Sequence, residues 1–163
     1  MKRKRISKMK SLIVLYSYHH NNTRKAAVAI ADVIGAAIKN PMETNGNELK
    51  EYNLIGFGSG IDSGKHYREL LDFADQLSPV DGKRCFIFST SAIQGNKKTA
   101  KDHALLRETL QSKGYKVVGE FSCKGFNTNS FLKYFGGMNK GRPNDEDIKN
   151  ARKFASKLMQ CES

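Results

Sequence analysis

An unbroken apolar run, Leu12-Ile13-Val14-Leu15-Tyr16, leads through a polar loop from Ser17 to Asn22 into an alanine-rich segment that opens at Thr23. A strand apolar at every position has to be covered on both faces, and parallel sheets sheathed in helices supply that setting. The stretch therefore predicts strand, tight loop and helix, with the loop at the carboxyl end of the strand and the amino end of the helix. Unpaired backbone N–H groups and the helix dipole favour an anion at such a place, and phosphate is the natural candidate. The residues alone leave a second reading open, a Ser- and Asn-rich left-handed turn that caps a helix and holds nothing.

The same alternation repeats down the chain. The helix from Thr23 to Ile34 carries Ala26, Ala27, Ile30, Ala31 and Ile34 on one side and stops at Gly35, a left-handed C-cap. Ala36-Ala37-Ile38 predicts a short second strand closed by Asn40-Pro41, and the polar stretch Thr44–Lys50 leaves little room for a full helix. Tyr52–Phe57 predicts a third strand, and the loop GSGIDSG (residues 58–64) follows it. A helix is expected from His66 to Leu77, stopped by Pro79. Lys83–Phe88 predicts the fourth strand, running into Ser89-Thr90-Ser91, with a helix over Thr99–Lys113 and a fifth strand over Tyr115–Phe121. After Pro143, Asn144 is placed as the N-cap of a last helix with Ile148, Ala151, Phe154, Ala155 and Leu158 on its apolar face. Five strands and four helices in alternation predict a three-layer α/β domain over residues 11–160, a doubly wound five-stranded parallel sheet flanked by helices. Ligands in such sheets lie beyond the carboxyl ends of the strands, where strand order reverses. Residues 17–22, 58–64 and 89–94, the three most unusual polar loops, all follow strands at that edge.

Composition narrows the function classes. No run approaches the ~18–20 apolar residues of a membrane span, and no apolar stretch of signal-peptide length precedes the first strand, so the expected location is the cytoplasm. Cys85, Cys123 and Cys161 are odd in number and widely spaced, which points neither to a disulfide framework nor to zinc. Cys85 reads as a buried strand residue and Cys123 as a packed thiol without a visible base. The net charge of +12 is half tail: the first ten residues hold six basic side chains and no acid, and 12 less 6 leaves +6 on the rest. Residues 1–10 are expected to be a disordered, solvated extension, and nucleic acid is disfavoured as a partner. His19-His20 without a third ligand is a weak metal signal. Asp62 and His66, four apart, have the spacing of an ordinary surface pair more than of an acid–base couple.

Ser17, Asn22 and Thr23 resemble the ends of the flavodoxin phosphate loop, Ser/Thr-x-Thr-Gly-Asn-Thr, which holds the phosphate of FMN. This loop is one residue longer, lacks the glycine, and has His19 and His20 where that pattern has its middle Thr-Gly. The likeness to the flavodoxin family extends from Lys10 to Gln160. It is carried by YNLIGFGSGI and by a later segment with Gly119, Phe121, Cys123, Gly125, Gly136, Gly137, Gly141, Arg142, Pro143, Asp147, Ala151 and Phe154. The resemblance implies FMN as cofactor. Its phosphate would lie on Ser17, His19, His20, Asn21, Asn22 and Thr23, and its ring between Ser59, Gly60, Ile61 and Asp62 on one side and Ser89, Thr90, Ser91, Ala92 and Ile93 on the other. With no Trp in the chain, Tyr18 or Tyr67 would serve if an aromatic stacks on the ring. The implied function is electron transfer to or from a redox partner, with no protein nucleophile. Two alternatives stay open: a small FMN-dependent reductase passing electrons from a nicotinamide donor to a quinone or similar planar acceptor, and a flavodoxin-like docking module without FMN. Family members are generally acidic, whereas this domain is basic, with Lys65, Arg68, Lys97, Lys98 and Lys101 in or just after the ring loops. An acidic partner surface is therefore expected.

Overall fold

The computed structural model describes residues 9–17, 22–125 and 140–160. The elements are β1 (Ser11–Tyr16), α1 (Asn22–Ile34), β2 (Ala37–Lys39), β3 (Leu54–Asp62), β4 (Lys65–His66), α2 (Arg68–Asp75), β5 (Lys83–Ser91), α3 (Asn96–Ser112), β6 (Tyr115–Lys124) and α4 (Asp145–Gln160). Short 3-10 turns at Pro41–Glu43 and Gly46–Glu51 fill the polar stretch where no full helix was expected. The main sheet has the order β2-β1-β3-β5-β6, and every pairing along it is parallel. Strand order reverses at β1 and β3. The expected doubly wound parallel sheet is therefore present.

Side chains alternate across each strand, and the two faces build separate cores. Leu12, Val14, Ile55, Phe57, Cys85 and Ile87 face Leu70 and Ala74 of α2 and Leu106 and Leu110 of α3. Ile13, Leu15, Leu54, Phe86 and Phe88 face Ala27 and Ile30 of α1 and Ala151, Ala155 and Leu158 of α4. On this second face β3 carries Gly56 and Gly58, in register with Phe86 and Phe88. A Cβ at either glycine would lie 2.3 or 2.1 Å from the neighbouring ring, so the phenylalanines occupy the space that side chains of β3 would take.

Several boundaries differ from the sequence expectation. The segment over residues 58–64 is not a free loop: β3 continues to Asp62, turns at Ser63 and Gly64 (φ 51° and 78°), and pairs antiparallel with β4, Ile61 opposite His66 and Asp62 opposite Lys65. His66, expected to open a helix, closes this hairpin, and the helix starts at Arg68. Ser89-Thr90-Ser91 likewise continue β5, paired with Ser122, Cys123 and Lys124 of β6. At the amino end, Met9 packs on the α1/α4 core. The Lys10 N–H donates to Asn53 Oδ1 at 2.9 Å, so these two residues of the expected extension belong to the body. Residues 1–8 and Cys161 lie outside the described residues. Cys85 and Cys123 are buried, and burial pushes both thiols up to about 12. Among the described residues no helix is long and apolar enough to cross a membrane.

Candidate functional site

The carboxyl edge of the sheet brings the three polar segments together. Tyr16, Ser59 and Ser89 are successive neighbours across β1, β3 and β5, and Gly60, Thr90 and Cys123 form the next row across β3, β5 and β6. Asn22 and Thr23 begin α1, and the Thr23 hydroxyl meets that of Thr90 at 2.8 Å in a buried contact. Gly125 closes the group: a Cβ there would stand 3.0 Å from Asn22 Nδ2 and 3.2 Å from Thr90 Cβ. The Ser17 hydroxyl, between β1 and α1, is buried with no hydrogen-bond partner among the described residues. Beside it, Arg24 on the first turn of α1 lines a cleft of about 390 Å³ with Leu15, Lys39, Asn40 and Glu43. Tyr18, His19, His20 and Asn21 lie outside the described residues.

The two segments expected to flank the ring divide into an inner and an outer part. Asp62 and Ile93 are exposed and Gly60, Ile61 and Ala92 half-buried, whereas Ser59, Ser89, Thr90 and Ser91 are buried. The inner hydroxyls hold the backbone. The Ser91 hydroxyl donates to the Ile93 carbonyl at 2.8 Å and accepts from Gln94 Nε2 at 2.7 Å. Tyr67 packs under Gly60, whose Cβ would come within 2.7 Å of its ring, and its centroid is 5.6 Å from that of Tyr16. Asp62 and His66 are not a pair, because Asp62 is exposed at the tip of the hairpin while His66 is turned inward.

Beneath these segments lies a buried polar chain. His66 Nδ1 is 2.8 Å from the Ser59 hydroxyl, and His103 Nε2 is 2.7 Å from that of Ser89. The two rings lie with centroids 5.0 Å apart. His103 Nδ1 meets Glu120 Oε1 at 2.9 Å, and the Arg107 guanidinium donates to both oxygens of the same carboxylate. Burial raises the Glu120 carboxyl, but the hydrogen bonds from His103 and Arg107 outweigh it and hold the group at about 2. Burial, reinforced by the neighbouring His103, holds the His66 imidazole well below its usual 6.5, so that ring is neutral near pH 7. Among the described residues no three His, Cys, Asp or Glu side chains are placed to hold a metal ion.

A family model for the flavodoxin domain matches residues 13–156. The chain belongs to the flavodoxin family. It is 44% identical over 152 residues to an uncharacterized protein of Methanocaldococcus jannaschii, a match that spans 93% of this chain and 99% of that one. Among solved structures it resembles flavodoxin 2 from Bacillus cereus, with a TM-score of 0.70 at 18% identity over 93% of this chain and 98% of the other. It also resembles rubredoxin oxygen:oxidoreductase from Desulfovibrio gigas, with a TM-score of 0.66 at 15% identity, covering 93% of this chain but 35% of that enzyme.

The residues fit the flavin that this family implies. A flavodoxin needs anion donors where β1 meets α1, and this one has a buried Ser17 hydroxyl there, without a partner among the described residues, next to the start of a 13-residue helix. The Thr23 hydroxyl, expected to face a phosphate, is shared with Thr90 and ties α1 to β5. Sequence reasoning missed Arg24, His103, Glu120 and Ser122, and had Gln94 only as the last residue of the third polar loop. Arg24 sits one residue past the first loop's pattern, and His103, Glu120 and Ser122 come from α3 and β6, with nothing local to link them to the strand ends they support.

Proposed function

We propose that this flavodoxin-family protein holds FMN at the carboxyl edge of its sheet and passes electrons to or from a redox partner. The observation that carries this reading is the buried Ser17 hydroxyl, without a partner among the described residues, where β1 meets the N-terminus of α1. Bound there, FMN supplies one- or two-electron cycling. The protein's part is to hold and shield it: Ser17, the first N–H groups of α1 and the Arg24 charge favour the phosphate end, while the backbone of Gly60–Asp62 and Ala92–Ile93 flanks the ring. Extraction of the flavin from purified protein, identified by chromatography, tests the reading, and FMN is the expected product. Recovered FAD, or no flavin after incubation with excess FMN, overturns it.

The partner is proposed to offer an acidic surface. Lys65 on the hairpin and Lys97 and Lys101 on the first turns of α3 are exposed, and exposed Ile93 lies between β5 and α3. The hairpin lies on α3, since a Cβ at Gly64 would be 3.9 Å from Asp102. Lys98 differs from its neighbours, because its ammonium is 2.7 Å from the buried Asp102 carboxylate and is largely neutralised there. Stopped-flow electron transfer to candidate partners is expected to slow as salt screens the charges, over a length of about 8–10 Å at ordinary ionic strength. Lys97→Glu with Lys101→Glu should slow it further at low salt. A rate that rises with salt, or ignores it, counts against the acidic partner.

A further inference from the structure

The four helices do not share the chain's positive charge evenly. α1 holds two Lys or Arg against one acid, α3 four against two, and α4 four against three. α2 is the exception, with Glu69, Asp72 and Asp75 against Arg68 alone. Of the four it is the one with net negative charge, in a chain whose net charge is +12.

This acidic helix also borders a groove. Between α2 and the two 3-10 turns lies a space of about 490 Å³, lined by Pro41, Met42, Phe73 and Leu77 and by Glu69 and Asp72. Met42 is 73% exposed, more than any other large apolar side chain among the described residues. Arg68 answers Asp72 at 3.5 Å. Glu69 and Asp75 of α2, and Glu43 on the turn opposite, have no ion-pair partner among the described residues. A groove with apolar lining and acid on both sides suits a basic segment that carries an apolar side chain.

The chain has such a segment of its own. Lys2, Arg3, Lys4, Arg5 and Lys8 surround Ile6, with no acid among them. The body takes up this segment at the near end of the groove. Lys10 places its ammonium 3.6 Å from the Glu51 carboxylate and 5.0 Å from the centre of the Tyr52 ring. Glu51 ends the second 3-10 turn, and Gly46, which begins it, lines the groove, where a Cβ would be 3.1 Å from Leu77. That turn covers about 12 Å, and α2 is itself about 12 Å long. Eight extended residues reach about 27 Å, enough to pass the turn and run along the helix. The other three helices, all net positive, repel the segment.

We propose that the basic segment before Met9 docks in this groove, with Ile6 against Met42 and Phe73 and its cations beside Glu43, Glu69 and Asp75. Docking covers the acid of α2 and leaves the basic surface at the carboxyl edge as the face a partner meets. The proposal is independent of the FMN reading, because no groove residue belongs to the segments expected to flank the ring.

The chain has no Trp, so Ile6→Trp in the full-length protein supplies a single indole as reporter. At low salt its emission should be blue-shifted and shielded from acrylamide. In about 1 M salt, where charges are screened within ~3 Å, it should return to the emission of a free peptide. Lys4→Glu with Arg5→Glu, which alters nothing in the described body, should free the indole at low salt. Adding Glu69→Lys and Asp75→Lys to that variant should bring the blue shift back. Amide NMR locates the contact and decides the matter even if the α2 variant does not fold. Between wild type and the Lys4→Glu, Arg5→Glu variant, signals of residues 42–46 and 69–77 should move while those of α3 and α4 stay. An indole already free at low salt overturns the proposal and leaves the groove to a basic segment of another protein. Amide shifts on α3 or α4 instead overturn it too, as does a blue shift that survives both salt and the Lys4→Glu, Arg5→Glu change. A blue shift that grows with protein concentration gives the groove to the segment of a second copy and overturns docking within one chain.

Discussion

The two faces of the sheet near its carboxyl edge are built from alternate residues of the same strands, and they behave as different materials. On the α1/α4 face, Gly56 and Gly58 lie under the rings of Phe86 and Phe88, with Phe154 edge-on to Phe86 beyond, and this part of the face is carbon throughout. On the α2/α3 face, the next residues along, Ser59 and Ser89, hand the packing over to His66, His103 and Glu120. The carbon face is sensitive to volume and indifferent to protons. The polar face has hydrogen bonds and charge at stake, and it is the one that holds the segments at the carboxyl ends of β3 and β5. Putting both on one pair of strands lets the core fix where the strands end while the polar layer fixes how the loops leave them.

Substitutions that separate volume from hydrogen bonding test this contrast. The largest effect is expected from Gly58→Ala, because the new methyl group would stand 2.1 Å from the Phe88 ring. A loss of about 3 kcal/mol is expected in chemical denaturation, at the upper end of ordinary overpacking. Combining it with Phe88→Leu should recover part of that loss, and no recovery would mean that volume is not the cause.

Acid is the next lever, and of the two layers beside Ser59 and Ser89 it acts on the polar one. Because the folded-state pKa of His66 is depressed, the unfolded chain takes up a proton that the folded chain refuses as pH falls below 6.5. Stability should therefore be at its plateau above that pH and decline below it, by about 1.4 kcal/mol per pH unit, until the folded state is protonated too. The Glu120 contribution, present above its ordinary 4.5, is lost only between there and about 2. Denaturant titrations at fixed pH should show the first decline vanish in His66→Asn and the second persist. A wild-type curve flat from pH 6.5 to 4.5 would break the comparison.

Ser59→Ala removes the hydroxyl partner of His66 Nδ1 and the donor to the Gly60 carbonyl without changing volume much, and about 1–2 kcal/mol is expected. Thr23→Ala, which breaks a bond between two hydroxyls, should cost about 1 kcal/mol and loosen α1 from β5. At the surface, Arg68→Ala should leave stability unchanged within error, since the Arg68–Asp72 pair at 3.5 Å is exposed on both sides.

The order of elements was legible because each apolar run is bounded by its own stop signal. Gly35 and Gly114, at φ 68° and 90°, end α1 and α3 where expected, and at Gly114 a Cβ would fall 1.7 Å from the Val80 carbonyl oxygen. Asn144 caps α4 as expected: its Oδ1 accepts from the Asp147 N–H, and the Asp147 carboxylate accepts from the Asn144 N–H. The ends of β3 and β5 were less legible. Ser89–Ser91 read as a loop because polar residues in a buried strand need partners, and those partners, His103 and Ser122, are 14 and 33 residues away. His66 read as helical because Tyr67, Leu70, Leu71 and Ala74 continue the period backwards, whereas the Ser63-Gly64 turn had already committed it to a strand. The three polar segments of the carboxyl edge were visible as interruptions after strands, but which of their hydroxyls point inward was not, since that depends on how far each strand runs.

That run has a consequence for how copies of the chain meet. β3 outlasts its parallel neighbours: its last partners are Tyr16 with Ser59 on β1 and Thr90 with Gly60 on β5. Ile61 and Asp62 would otherwise offer bare backbone donors and acceptors to any extended segment nearby, the usual template for edge-to-edge association. The return through Ser63 and Gly64 spends those groups on Lys65 and His66 of the same molecule. The hairpin is thus also a guard on solubility, and a chain unable to make that turn would fail first by sticking to its neighbours rather than by melting.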